Sequence, residues 1–145
     1  MDVRTAYFKE PKVSAKNWRA EVGGDYWAID NWGYIREYTE GGDEQDDHNF
    51  DTLNYHRTEK QAEAYKEYCL AIGTVSRAIW DANEKVEHDT GFYEINYNIV
   101  FDKFTIDRTD TEPLCLIPLC KSEETANQII NDHKTELEII RNYKR

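Results

Sequence analysis

Leu53–Tyr68 reads LNYHRTEKQAEAYKEY, and its reading decides the fold. A short apolar run leads to Thr58, whose hydroxyl can accept from the free amides of a helix start. Gln61 stands three residues on, where a capping box places Glu or Gln. Beyond it Ala62, Tyr65, Cys69, Ile72, Ser76, Ile79 and Asn83 recur at helical spacing, with Val75 and Trp80 widening the stripe. The pattern predicts one helix from Thr58 to about Glu87, about 43 Å long if unbroken. Gly73 is its weakest position, and Cys69, on the stripe, is expected in the core.

Upstream, YWAIDNWGYIREYT (residues 26–39) reads as a β-hairpin. Tyr26–Asp30 and Tyr34–Thr39 are rich in aromatic and β-branched residues, and Asn31-Trp32-Gly33 supplies the turn. Alternation puts Trp27 and Ile29 on one face. Downstream, FYEINYNIVFDKFTID (residues 92–107) alternates through Tyr93, Ile95, Tyr97, Ile99 and Phe101, the strongest strand signal in the chain. Leu114–Leu119 is a further apolar run, which Pro113 and Pro118 restrict to an edge or irregular strand. Ser122 then opens a second helix with Glu123 and Glu124 in its first turn, where acids suit the dipole. Its stripe is Ala126, Ile129, Ile130, His133, Leu137 and Ile140.

The two halves resemble one another. A shift of 66 residues lays Tyr26 on Phe92, Trp27 on Tyr93, Ile29 on Ile95, Ile35 on Phe101 and Tyr38 on Phe104. A shift of 64 lays Thr58 on Ser122, Glu59 on Glu123 and Ala62 on Ala126. The order is β-β-(β)-α twice, and a lone hairpin with one helix buries too little to stand by itself. The expectation is a single α+β domain over residues 1–145, an antiparallel sheet covered by two main helices. Within it residues 1–24 form an N-terminal arm closed by Gly23-Gly24, residues 25–88 the first repeat and residues 92–145 the second.

Net charge is −11 and aromatics make up 13% of the 145 residues. The charge argues against direct nucleic-acid binding, which needs Lys and Arg, and against an anionic membrane surface; a basic protein is the natural complement. Neither nucleic acid nor membrane is an expected partner. Three Cys do not make a disulfide scaffold and suit a reducing compartment. No apolar run reaches membrane-span length, and MDVRTAYFKE lacks the core of a signal peptide, so the expected location is the cytosol in which the chain is made.

The Trp27-Ala28-Ile29, Gly33-Tyr34-Ile35 opening, the acidic spacer, and Tyr55–Glu63 with Thr58, Ala62 and Glu63 resemble small phage-encoded accessory proteins. Such proteins commonly carry W-x-I-x-x-x-G-x-I, an acidic spacer, then F/Y-x-T-x-x-x-A-E. Ser122, Ala126 and Ile129 supply the S-x-x-x-A-x-x-I element usual near their C-terminus. The G-N-x-F that often precedes the Thr is absent; Phe50 and Asn54 are present without the Gly. The resemblance implies a mobile-element gene, a category in which inhibitors of host defence nucleases are frequent.

From Glu37 to His56 there is no Lys or Arg but seven acids: Glu37, Glu40, Asp43, Glu44, Asp46, Asp47 and Asp51. Its centre, GGDEQDDHN, has no apolar residue and reads as a solvated loop or hairpin tip. As a Ca²⁺ loop it fails, because His48 stands where Gly is needed and Asn54 where a bidentate Glu belongs; no metal and no cofactor are expected. His56-Arg57-Thr58 and His88-Asp89-Thr90 form two H-x-T tripeptides, but the predicted helix separates them too far to share a phosphoesterase cleft. Cys115 and Cys120, five apart, point to opposite faces of a strand. No nucleophile elbow, phosphate loop or H-E-x-x-H is present, so no enzyme activity is expected.

The resulting expectation is a protein-binding inhibitor. The seven acids, flanked by Trp32 and Tyr34, would act as a partial nucleic-acid mimic on a basic host protein such as a CRISPR or restriction nuclease. Converting Asp43, Glu44, Asp46 and Asp47 to amides is expected to spare the fold. The alternatives are a module sequestering a nucleotide signal, with Arg57 or Arg77 on phosphate, and a virion component. A homodimer is compatible with a long helix and exposed aromatics.

Overall fold

The computed structural model describes residues 18–87, 91–110 and 116–143. Eight elements follow in order: β1 (Asp25–Ile29), β2 (Ile35–Thr39), α1 (Glu44–Asp51), α2 (Glu59–Glu84), β3 (Phe92–Asn98), β4 (Lys103–Thr109), α3 (Glu123–Asp132) and α4 (Lys134–Asn142). The fold is α+β. Instead of one sheet under two helices, the described residues hold two separate two-stranded antiparallel sheets, β1–β2 and β3–β4, and four helices. The chain divides into two compact units, residues 1–66 with 144–145, and residues 67–143, and the division falls inside α2.

In the first unit, β1 and β2 pair from Asp25↔Thr39 to Ile29↔Ile35, and Gly33, at φ 86°, makes the turn. Tyr26 and Ala28 are the residues this hairpin buries completely, not the Trp27–Ile29 face, which is half-buried. Tyr55 stacks on Tyr26 with centroids 3.8 Å apart, and Phe50 meets Tyr55 edge-on at 5.6 Å. Trp18, Ala20 and Tyr38 complete this small aromatic core. Aromatics do here what aliphatics do elsewhere, since each buries a large area.

On its other edge β1 is met by one bridge, Trp27↔His56, closed by two backbone hydrogen bonds of 2.8 Å. Asn54 extends the contact with its side chain, accepting from the Ile29 amide at 2.8 Å and donating to the Ile29 carbonyl at 2.7 Å. The Thr58 hydroxyl then accepts from the Gln61 amide at 3.2 Å, opening α2. Gln61 Oε1 reaches back one residue further than in a capping box, to the Arg57 amide. The helix runs unbroken through Gly73 for 26 residues, about 39 Å. Cys69 and Trp80, assigned to its buried stripe by spacing, are exposed; Ala62, Ala71, Val75, Ser76 and Ile79 are buried.

In the second unit β3 and β4 pair from Phe92↔Thr109 to Asn98↔Lys103. A single bridge, Tyr93↔Cys120, borders β3, and two residues later Ser122 caps α3 by accepting from the Thr125 amide at 3.1 Å. Trp27 and Tyr93 are 66 residues apart, and His56 and Cys120, like Thr58 and Ser122, are 64 apart, but these coincidences do not establish the internal repeat. The second arm departs from the shift of 66: Tyr38 pairs with Tyr26, but Phe104 pairs with Tyr97 rather than Phe92. The second hairpin is longer, and Ile99 and Phe101 lie in its turn, not on a strand. Leu119 is buried and joins no strand; Leu114 and Cys115 lie outside the described residues, as do His88–Thr90 and residues 1–17.

The core of this unit is Val75, Ile79, Cys120, Ala126, Ile129 and Leu137, with Tyr93, Ile95, Phe104 and Ile106 from the sheet packed on it. Asn83 ties α2 to the segment before α3, donating to the Leu119 carbonyl and accepting from the Lys121 amide, each at 2.9 Å. The helix predicted to run from Ser122 past Ile140 is interrupted at His133, whose backbone (φ −124°, ψ 32°) leaves the helical range and starts α4. Among the described residues no helix is long and apolar enough to cross a membrane.

Candidate functional site

The acidic segment is not a loop. Residues Glu44–Asp51 form helix α1, although the segment carries almost no apolar surface. Its start is a reciprocal cap: Asp43 Oδ1 accepts from the Asp46 amide at 2.9 Å, and Asp46 Oδ2 accepts from the Asp43 amide at 3.2 Å. Glu44, Asp46 and Asp47 in the first turn suit the dipole. Gly42, at φ 72°, gives the left-handed step that brings the chain into the cap.

Two of the seven acids turn inward. Asp46 is 4% exposed and Glu40 3%, so neither can serve as a surface ligand. The Tyr26 hydroxyl donates to Asp46 Oδ1 at 2.7 Å, and the Gly41 amide donates to its Oδ2 at 2.8 Å. The Tyr55 hydroxyl donates to Glu40 Oε2 at 2.5 Å, and Arg19 grips the same carboxylate through Nε at 3.2 Å and Nη2 at 2.9 Å. Asn49 is also buried and donates to the Tyr26 hydroxyl at 3.1 Å. The two stacked tyrosines of the aromatic core thus each hold one acid of the segment. A buried carboxylate survives only with such donors around it.

The titration behaviour follows. The Arg19 hydrogen bond holds Glu40 below the usual carboxylate range against burial, with help from Tyr55 and the Gly42 amide. Burial pushes Asp46 up, but the donors Tyr26, Gly41 and Asp43 together outweigh it and the net direction is down. Burial pushes both Tyr26 and Tyr55 well above the ordinary phenol value, which keeps them as donors.

The remaining acids, Glu37, Asp43, Glu44, Asp47 and Asp51, are exposed. Asp47 shares the Arg19 guanidinium at 2.7 Å while staying 58% exposed. Conversion of Asp43, Glu44, Asp46 and Asp47 to amides would therefore not spare the fold: an amide at 43 keeps the cap's acceptor, but Asp46 accepts at both oxygens and an amide offers only one. Trp32 and Tyr34 are 79% and 62% exposed at the hairpin tip. Their turn is organised by Asp30, a residue the sequence reading passed over. Its Oδ1 accepts from the Trp32 amide at 2.9 Å and the Tyr34 amide at 2.8 Å, and its Oδ2 accepts from Arg36 at 2.5 Å. Burial works against Asp30, yet the Arg36 bond and the two amides keep it ionised below its usual range. The signal was an Asp two residues before a turn aromatic, an Asx-type arrangement.

His56 is buried, with its ring 4.9 Å from Tyr65, and the second H-x-T tripeptide lies outside the described residues. Among the described residues no three His, Cys, Asp or Glu side chains are grouped to hold a metal ion. No family model, curated protein or solved structure matches this chain.

Proposed function

We propose that this chain is a non-enzymatic, phage-type accessory protein whose first unit binds a basic protein surface. The target class is a host defence nuclease in the host cytoplasm. The observation that carries the reading is the division of the acidic segment: Glu40 and Asp46 face inward and anchor it, while Asp43, Glu44, Asp47 and Asp51 face water. Fixed carboxylates cost less to order on binding than those of a mobile loop. Along a helix these four span about 12 Å, a mean of one carboxylate per about 3–4 Å, close to the 3.4 Å per phosphate of a DNA strand, with the Asp47 charge shared with Arg19. Glu37 adds to the charge, and Trp32 and Tyr34 are the aromatic anchors, of the type that dominates protein interfaces. The negative field would also steer encounter with a basic channel.

Purified restriction and CRISPR nucleases, assayed for DNA cleavage with and without excess protein, test the proposal. Inhibition should be competitive with duplex DNA, weaken with salt, and be lost in Glu44→Gln/Asp47→Asn/Asp51→Asn. Trp32→Ala should weaken it separately. Cleavage unaffected by the wild-type chain across the panel, or inhibition that survives neutralisation of the three acids, would overturn the reading.

A further inference from the structure

Ile99, Val100 and Phe101 form the tip of the β3–β4 hairpin and are 82%, 80% and 69% exposed. Tight hairpin turns ordinarily carry Gly, Asn or Asp, so three large apolar residues in water at this place call for a reason. The tip is firmly built. Asn98 Oδ1 accepts from the amides of Val100 at 3.0 Å and Phe101 at 3.1 Å. Asp102 takes a left-handed φ of 51° and accepts from the Tyr97 hydroxyl. The Asn98↔Lys103 pair closes the ladder beneath it.

We propose that this tip inserts into the interfacial layer of a membrane with uncharged headgroups. Three large apolar residues in succession, all exposed, are taken up by a fluid apolar layer without the need for a shaped pocket. The Val100 and Phe101 amides are already bonded within the turn, so these two donors leave water without losing a partner. The surrounding side chains suit a boundary between apolar and wet: the Lys103 ammonium lies 5.7 Å from the Phe101 centroid, and the Arg141 guanidinium 3.6 Å from that of Tyr97. Asp102, next to Phe101, restricts the tip to the interface rather than the hydrocarbon centre. The sequence-level expectation of no membrane partner rests on charge. A net charge of −11 repels anionic lipid and a second copy of the chain, but an uncharged headgroup layer has no net charge to repel it. This proposal involves the second unit alone and is independent of the nuclease reading.

Flotation of the full chain with phosphatidylcholine vesicles tests it. The wild-type protein should float with the vesicles, and either Val100→Asp or Ile99→Ser/Val100→Ser/Phe101→Ser should lower its partition coefficient by at least about tenfold. Admixed phosphatidylglycerol should weaken binding at low salt and do so less at high salt. Both variants should keep the wild-type circular dichroism, because the altered side chains already stand in water; the single substitution carries the test if the triple one misfolds. Failure of the wild-type chain to float, or equal flotation of the folded variants, would overturn the proposal. So would sedimentation showing a dimer that these substitutions dissolve, which would assign the tip to a second copy.

Discussion

The Tyr26 hydroxyl donates to Asp46 at 2.7 Å where both side chains are closed to water. That bond joins the centre of the aromatic core to α1, a helix whose one apolar residue is Phe50. It explains how a segment reading DEQDDHNFD (residues 43–51) holds a helix that its composition does not recommend.

Removing the acid should therefore cost far more than its place in a charge run implies. Asp46→Ala strands the Tyr26 hydroxyl and the Gly41 and Asp43 amides, and should destabilise the first unit by about 2–4 kcal/mol. Tyr26→Phe should cost about 1–2 kcal/mol. Urea unfolding followed by tryptophan fluorescence measures both. A change below about 0.5 kcal/mol for Asp46→Ala, the range of ordinary surface substitutions, would remove the staple from the account.

Acid should loosen the same unit. Glu40, Asp46 and Asp30 all have folded-state values below their ordinary ones. A carboxylate with a lowered value lends stability that is fully present above its unfolded value, about 4, and is lost as pH falls toward the folded one. The thermal midpoint should hold between neutrality and about pH 5 and then drop, with a shallower drop in Glu40→Gln. A midpoint indifferent to pH down to 3 would contradict the assignment.

The two helix starts are held by hydroxyls in the same way, Thr58 to Gln61 at 3.2 Å and Ser122 to Thr125 at 3.1 Å. Thr58→Ala and Ser122→Ala should each cost about 1 kcal/mol, and the corresponding Gly variants less. Differential denaturation of the single variants reports the two caps separately.

The thiols should separate cleanly. Cys69 is exposed and Cys120 buried, and burial pushes the Cys120 thiol up to about 11. In a Cys115→Ser background, a thiol reagent at neutral pH should label one cysteine quickly in the native chain and the second only on unfolding. Fast labelling of both would show that the second core is open at Cys120.

Much of the chain was legible because its signals are local. Alternation marked both hairpins, Gly33 the first turn, and Thr58 and Ser122 the helix starts, since each depends on residues within a few positions of one another. The helix α1 was not legible, because periodicity finds helices by their apolar face and this one offers a single apolar residue, Phe50. Its reciprocal cap, Asp43 with Asp46, was present in the sequence but hidden among five neighbouring acids and amides. The pairing of Phe104 with Tyr97 escaped for a different reason: hairpin register follows where the turn closes, and Ile99–Phe101 read as a strand.

By itself the sequence determined the α+β class, the two hairpins, the two hydroxyl-capped helices and a strongly negative surface. Tertiary structure alone decided that the hairpins would form separate sheets and that Glu40 and Asp46, among seven similar acids, would face inward. A carboxylate's direction depends on donors brought to it in space, here Tyr55 and Arg19 to Glu40 and Tyr26 to Asp46, and those partners come from segments that only folding sets side by side.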